Sequence, residues 1–342
     1  MVANRDVFPA DETREIHREI VSLLDVPVID TLFTEMDKTA LKAKRLYHRL
    51  GRLAITLIAI SAVYTVGDAV GLLAAIGAPE QISIAAVLFA AIGIGLQTYI
   101  LLSHQKDKWL INRFGVERLR SLKFQAYRLA QAATDHGALK TAVDTFATRE
   151  VARLKDELTN GMAAIKAFDP SRAIAGTAVP AKAVNPVLAA AALDAFCDLR
   201  ITYQKRFAQG EIEAMSDRRR IFESSQDFIY AAAAIFAFVA LAVKGVEALG
   251  VDVSQVLSIP LIDFLAVSLF IAGASKSIMD NASIEDVSKT RYEQYARDVE
   301  TVSLDATRKT AKLSTIVDRM ERTALNELDV FCRAAERISY RL

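Results

Sequence analysis

The chain has 342 residues, of which 52% are hydrophobic and 24% charged, and its formal net charge is +1. This balance excludes nucleic acid as a bulk electrostatic partner, because neutralising phosphates requires a clustered basic surplus. The four histidines show no metal-ligand spacing, and the sequence has no P-loop, GxSxG or dinucleotide-binding glycine motif. We therefore expect no enzyme activity, no cofactor and no metal site.

The hydrophobic residues are concentrated in four blocks, and the mean hydropathy of the chain is positive. Each block approaches the roughly 20 residues that a helix needs to cross about 30 Å of hydrocarbon. The blocks form two pairs: about 53–76 and 82–102, then about 228–249 and 256–278. This pattern predicts an all-α integral membrane protein with four transmembrane helices in two hairpins. A buried hairpin in a soluble helical protein is the alternative.

Lysine and arginine residues flank the paired blocks on the side away from the two turns. Because positively charged flanks stay in the cytoplasm, we predict that both turns lie outside and both termini are cytoplasmic. One basic triplet close to the third block is expected to anchor the topology and attract anionic lipid, with a specific ligand site as the alternative: Arg218, Arg219 and Arg220. The first 20 residues lack the apolar core of a signal peptide, so no cleavage is expected there.

The polar segments predict helices outside the membrane. One helix is expected over residues 105–134 and another over 138–168, followed by a proline-containing linker, DPSRAIAGTAVPAKAVNP. No strong breaker interrupts residues 187–249, which predicts one long helix that enters the membrane, with Gly210 as its weak point. Residues 282–342 carry apolar side chains at spacings of three and four, typical of a helix in a bundle or coiled coil.

The two halves of the chain share one order of elements, a polar helix, a hairpin and a second polar helix. Corresponding blocks begin about 175 positions apart, which indicates a tandem duplication. The predicted division is a first repeat (1–134), a cytosolic helix with the proline-rich linker (135–186), and a second repeat (187–342).

Three ionisable residues fall inside the blocks: Asp68, Lys244 and Asp263. An ionisable residue within a span is a functional hypothesis, because leaving it unpaired in lipid costs at least about 2 kcal/mol. These side chains are expected to pair, to line an ion path, or to reach the outer interface. Small residues in the second and fourth blocks allow close helix packing. They are Ala86, Ala90, Ala91, Gly95, Ser268, Ala272 and Gly273.

Two segments resemble the SLATT group of bacterial membrane domains, which are two-transmembrane effectors associated with nucleotide-based conflict systems. The segment KDKWLINRFGVERLRSLKFQAY is similar to the helix after a SLATT hairpin, and LRITYQKRFAQ is similar to the helix that approaches one. The second copy has Tyr292 or Tyr295 in place of the tryptophan. The resemblance rests on Trp109, Arg113, Glu117, Arg118, Arg200, Tyr203 and Gln204.

This resemblance implies an oligomeric effector in the bacterial inner membrane, which forms pores or disrupts the membrane in antiviral defence. The chain shows no fused nucleotide-sensing domain, so a second-messenger nucleotide would act through a cytosolic signalling partner. A membrane scaffold that recruits a cytosolic partner and conducts nothing is the alternative. A two-repeat transporter is less consistent with the sequence, because coupling would need more ionisable groups at mid-membrane.

Overall fold

The computed structural model describes residues 4–9, 11–75, 80–174, 179–180, 182–216, 229, 231–235, 238–239, 259–281, 285–308 and 311–337. The described part of the chain is all-helical and contains no strand, which confirms the predicted class. The helices are α1 (Asp11–Ile16), α2 (Arg18–Leu24), α3 (Pro27–Ala69), α4 (Leu72–Ala75), α5 (Glu80–Leu102), α6 (Gln105–Gln125), α7 (His136–Thr159), α8 (Met162–Lys166), α9 (Pro186–Phe196), α10 (203–216), α11 (Ile259–Asn281), α12 (Glu285–Ala306) and α13 (Leu313–Arg337). A 3₁₀ segment, Ala126–Gln131, follows α6, and a π segment, Cys197–Thr202, joins α9 to α10.

The chain forms two compact units, each assembled from separate segments. The first unit comprises Met1–Lys44, Lys106–Met215 and Asp286–Arg337. The second comprises Arg45–Gln105, Ser216–Glu285 and Ile338–Leu342. The tandem duplication predicted over 1–134 and 187–342 stays a prediction, since most of the third block lies outside the described residues.

Local sequence signals fix several helix ends in the first unit. The Asp135 side chain accepts a hydrogen bond from the backbone N–H of Ala138 and caps α7, so the predicted start at residue 138 moves two residues earlier. Asn185 caps α9 in the same way, with Pro186 at the first helical position. The α7 helix stops at Thr159 because Gly161 adopts a positive φ of 57° before α8 begins.

The core of the first unit lies among α2, α3, α6, α7, α9, α12, α13 and the 3₁₀ segment. Its apolar side chains are almost fully buried, as Phe33, Leu139 and Phe196 show. The C-terminal segment contributes two helices, α12 and α13. Its predicted apolar face is buried at Tyr295, Val299 and others, whereas Leu304 is 58% exposed. Burial of such stripes supplies most of the stability of helices in proteins.

In the second unit, α3 and α5 pack closely at Gly93. A Cβ atom at this position would lie 2.7 Å from Cγ1 of Ile58 and 3.0 Å from the carbonyl oxygen of Ala54. Ala86 and Ile100 lie seven residues to either side of Gly93, on the same helix face, and both are buried. The contact therefore depends on the missing side chain of a glycine.

At the turn of this hairpin, the first helix ends earlier than the predicted apolar block. The first block was predicted to end near Ile76, but α3 ends at Ala69 and Gly71 takes a positive φ of 71° before the short α4. The hydroxyl groups of Tyr64 and Ser83 lie 2.9 Å apart and join α3 to α5. The predicted end of the second block at Leu102 is also the end of α5.

Two helices are long and apolar enough to span a membrane, α3 and the part of α5 from Ile82 to Leu102. Within their apolar windows only 28% and 17% of the residues, respectively, are buried inside the structure. The apolar part of α11, Phe264–Ile278, is shorter. The described residues thus contain two candidate spans, and the other two predicted spans are not established by them.

Replacing Gly93 with alanine tests the packing of α3 on α5. We expect a loss of about 1–3 kcal/mol in unfolding free energy, because the added methyl group would overlap Cγ1 of Ile58 and press against the backbone oxygen of Ala54. The matched control is Gly95→Ala, since a Cβ there meets nothing within 4 Å and should cause no loss. Far-UV circular dichroism of the full chain in detergent during denaturant titration measures both, and equal stability of the two variants would contradict the contact.

Candidate functional site

A π segment places an arginine in the centre of the first unit. Cys197–Thr202 interrupts the helical stretch between α9 and α10, and Arg200 lies within it with only 2% of its surface exposed. A π turn adds a residue to the helix and redirects the side chains that follow it, and such turns occur often at functional sites. The local backbone therefore singles out Arg200 before its contacts are considered.

Arg200 pairs with two carboxylates that are themselves buried. Its Nε donates to Oε1 of Glu321 at 2.8 Å, and its Nη2 donates to Oε2 of the same residue at 3.1 Å. Its Nη1 donates to Oδ2 of Asp6 at 3.1 Å. The guanidinium also lies 4.7 Å from the ring centroid of Phe124. This bidentate geometry is the strongest arrangement that arginine makes with a carboxylate.

Gln204 and Tyr295 extend this pairing. Gln204 lies one turn after Arg200, and its Nε2 donates to Oδ2 of Asp6 at 3.0 Å. Its Oε1 accepts from the hydroxyl of Tyr295 at 3.0 Å. The buried carboxylate of Asp6 therefore links the N-terminal segment to the π segment through Arg200 and to the start of α10 through Gln204, and Gln204 links α10 to α12 through Tyr295.

A second group of charges on α6 adjoins the first. Nη1 of Arg120 donates to both carboxylate oxygens of Glu117, at 2.9 and 2.7 Å, and Nη2 of Arg113 lies 2.5 Å from Oε1 of Glu117. Nε of Arg120 lies 3.4 Å from Oδ2 of Asp6, and its Nη2 donates to the side chain of Asn4. We call the set Asp6, Arg113, Glu117, Arg120, Arg200, Gln204, Tyr295 and Glu321 the arginine–carboxylate cluster.

Burial and ion pairing shift the pKa values of the cluster in opposite directions. Burial would raise the pKa of Glu117, but Arg113, Arg120 and Arg200 outweigh it and hold the pKa below its usual value. For Glu321, burial prevails over the attraction of Arg200, and its pKa is raised. The pKa of Arg200 is raised by its carboxylate partners despite burial. Glu117 therefore stays ionised, whereas Glu321 takes up a proton more readily than an exposed glutamate.

A cavity of about 70 Å³ borders the arginine–carboxylate cluster. Its walls come from α6, the π segment, α10, α12 and α13, and several aromatic side chains, such as Phe207 and Phe331, form part of them. The charged side chains that line it are Arg113, Glu117, Arg120, Arg200, Arg291 and Glu327. In the described part of the chain no group of three or more His, Cys, Asp or Glu side chains is arranged to hold a metal ion.

The structure brings together four residues of the predicted motif and separates the other three. Arg113, Glu117, Arg200 and Gln204 all line the cavity. The remaining three do not line it, although Trp109 and Tyr203 contact side chains that do. Trp109 packs edge-on against Phe331, Arg118 pairs with Glu157 at 3.5 Å, and Tyr203 stacks on Phe207.

The predicted membrane residues do not form a common site among the described residues. Asp68 is exposed near the end of α3. Lys244 and the triplet Arg218, Arg219 and Arg220 lie outside the described residues, and Asp263 lies in α11 with its side chain outside the description. Of the predicted packing residues, Ala86 and Gly273 are buried, Ala90 and Ser268 are half-buried, and Ala91, Gly95 and Ala272 are exposed.

Several residues of the site were not singled out from the sequence. Asp6 and Arg120 stand among other charged residues, so their types and spacing carry no signal of burial. Glu321 can be recognised from the sequence, because it interrupts the apolar stripe of α13 between Val317 and Leu325, both of which are buried. An acidic residue on the apolar face of an amphipathic helix indicates a buried partner.

Comparison with known proteins identifies no relative. No family model matches the chain, and no match was found among curated proteins or among solved structures. The resemblance to SLATT domains therefore stays a prediction.

Removing one member of the buried pair tests the cluster. Glu321→Leu should lower the unfolding free energy by about 3–5 kcal/mol, because it leaves Arg200 buried without its bidentate partner. The double variant Arg200→Met/Glu321→Leu should regain part of that loss, because the Arg200–Glu321 pair is then absent, while Asp6 loses Arg200 and keeps only Arg120 and Gln204 as partners. Trp109, the only tryptophan, lies in this unit, so its fluorescence during urea titration in detergent reports the change.

The control for this experiment is Arg333→Met. Arg333 forms an exposed pair with Asp329, so its loss should leave unfolding unchanged. Equal effects of Glu321→Leu and Arg333→Met would contradict a stabilising role for the buried pair.

Proposed function

We propose that this protein is a membrane effector whose apolar hairpin lies in the lipid bilayer and whose polar helical unit controls it. The observation that carries the proposal is the exposure of the two candidate spans. A core helix of a soluble protein is mostly covered, but only 28% and 17% of the two apolar windows are buried.

The side chains on α5 support lipid as their surroundings. Ile84, Val87 and Ile94 are 63%, 69% and 57% exposed, and Leu102 is 74% exposed. An apolar surface of this extent would be a strong association or aggregation site in water. In the hydrocarbon of a bilayer the same apolar side chains are surrounded by lipid tails instead of water, and the backbone groups of the helix keep their hydrogen bonds within the helix.

We infer four spans in the inner membrane, with α11 as the fourth and residues 228–249 as the third. The apolar part of α11, Phe264–Ile278, is short of a full span by itself, but the sequence before it is also apolar. Basic residues beside the apolar blocks support cytoplasmic termini. The polar unit, which holds the arginine–carboxylate cluster, would then face the cytoplasm.

Reporter fusions test the four-span topology. Alkaline phosphatase fused after Pro79 or after Asp252 should be active, and the same reporter after Leu342 should be inactive, because the enzyme folds only outside the cytoplasm. Fluorescent protein fusions at the same positions should give the opposite pattern. Inactive phosphatase after Asp252 with active phosphatase after Pro79 would limit the protein to two spans.

The arginine–carboxylate cluster supplies a candidate control element. It joins the N-terminal segment, α6, the π segment, α12 and α13, so it forms only when all five are assembled. The same unit holds the start of α3, because Lys123 pairs with Asp30 at 2.7 Å and Arg120 lies 5.5 Å from the ring of Phe33. Since α3 contributes to both units, rearrangement of the cluster acts on the helix that contains the first apolar window.

Weakening the cluster should therefore release effector activity. In bacteria loaded with a potential-sensitive dye, induction of Arg200→Met or Asp6→Asn should depolarise the inner membrane faster than induction of the unaltered chain, and viability should fall. Arg333→Met, at an exposed pair in the same unit, should behave like the unaltered chain. Immunoblots of the membrane fraction must show equal amounts of each variant.

Unchanged potential and viability for all these chains would argue against an effector and favour a membrane scaffold. One observation supports that second function. The exposed surface of α5 is apolar at most positions, and it offers no continuous polar face that would line a water-filled pore within one subunit. A conducting effector would thus need several copies of the chain.

A further inference from the structure

A second cavity, of about 320 Å³, lies between the proline-rich linker, α9 and the start of α13. It is lined by residues within 182–193 and 311–313, together with Gln131, and we call it the linker cavity. All of these residues belong to the first unit. The linker cavity is much larger than the cavity beside the arginine–carboxylate cluster and shares no lining residue with it.

Gln131 fixes the walls of the linker cavity. Its side-chain Nε2 donates to the carbonyl oxygen of Pro180, and its backbone carbonyl oxygen accepts from the N–H of Val184 at 3.0 Å. Its Oε1 accepts from the backbone N–H of Ser314 at 3.0 Å. One buried residue therefore holds the linker on one side of the cavity and the first turn of α13 on the other.

The inner wall of the linker cavity is apolar. Ala189 and Leu313 are 8% and 4% exposed, and Leu193 is half-buried. A cavity of about 150 Å³ with such walls accommodates benzene, so roughly twice that volume admits an apolar body of about eight to twelve carbon atoms. Mostly apolar cavities of about 300 Å³ and above are typical of binding sites for small organic molecules.

Two lysines give the rim of the linker cavity a positive charge. Lys182 and Lys312 both line it, and both are exposed. No acidic residue lines it, and neither α9 nor α13 has an acidic residue in its first turn. Among the described residues neither lysine has an ion pair or a side-chain hydrogen bond, and the acidic residue in the second turn of α13, Asp318, pairs with Arg128 at 3.0 Å.

We propose that the linker cavity binds a small amphipathic anion, with an apolar body of about eight to twelve carbon atoms and one anionic head group. The head group pairs with the ammonium groups of Lys182 and Lys312, and the apolar body packs on Ala189, Leu193 and Leu313. A neutral apolar molecule would gain nothing from the two charges. A small polar anion would leave the apolar wall uncovered.

The site is independent of the proposed membrane function, because its whole lining belongs to the polar unit. Two helices that meet at the linker cavity also lead to the buried ion pair. Helix α9 continues into the π segment that carries Arg200, and α13 carries Glu321. A ligand that binds only the assembled form stabilises that form, so binding raises the stability of the first unit.

Isothermal titration calorimetry of the full chain in a nonionic detergent tests the site, with titration into detergent alone as the blank. Octanoate and octyl phosphate are the two probes, since they share an apolar body and differ in the head group. At least one of them should bind saturably below about 10 mM. Octanol should bind at least about tenfold more weakly, because it offers no charge to the lysines.

Four variants locate the bound anion. Lys182→Gln/Lys312→Gln should weaken binding about tenfold or more, whereas Lys155→Gln, at an exposed lysine of α7 that does not line the cavity, should bind as the unaltered chain does. Ala190→Phe introduces a ring at an exposed position of the lining and should abolish binding by filling the cavity. Its control is Ala152→Phe, at an exposed position of α7.

Each outcome decides the proposal. No saturable binding of either anion by the unaltered chain would overturn it, even if a variant fails to fold. Equal affinity of octanol and the anions would overturn the role of the lysines, and unchanged binding by Ala190→Phe would overturn the location. Tighter binding of octanoate supports a carboxylate as the natural head group, and tighter binding of octyl phosphate supports a phosphate ester.

Discussion

The first unit depends on the burial of one guanidinium group. Arg200 is 2% exposed, so its charge has lost nearly all of its water and must be compensated within the protein. Glu321 and Asp6 provide that compensation from positions 121 and 194 residues away in sequence. Removal of either carboxylate would leave Arg200 incompletely paired in the interior. The N-terminal segment, the π segment and α13 are therefore held together by these pairs.

The second unit is built on the opposite principle. Shape, rather than charge, determines how α3 meets α5, because Gly93 leaves the space that Ile58 and the backbone of Ala54 occupy. Outward from that contact the helices present apolar side chains. Polar pairing organises the first unit, and close packing at a glycine organises the second. The proposed effector function would place the first in water and the second in lipid.

Much of the helical organisation could be predicted because its causes are local. Apolar length predicts α3 and α5, and the end of α5 at Leu102 is confirmed. The end of α3 at Ala69 was missed, because nothing in the apolar run before Ile76 indicates the positive φ of Gly71. The sequence predicts C-terminal helices but does not locate the break between α12 and α13, because apolar residues recur at helical spacing on both sides of it.

The sequence by itself determined that the chain is helical and where its apolar runs lie, and the predicted resemblance to SLATT domains singled out Arg113, Glu117, Arg200 and Gln204 among its seven motif residues. Only the tertiary structure decided that these four meet at one cavity, that Arg291 also lines it, and that Asp6 and Glu321 pair with Arg200. The physical reason is that helix formation and apolar periodicity act over a few residues, whereas the partner of a buried charge is selected by the packing of distant helices.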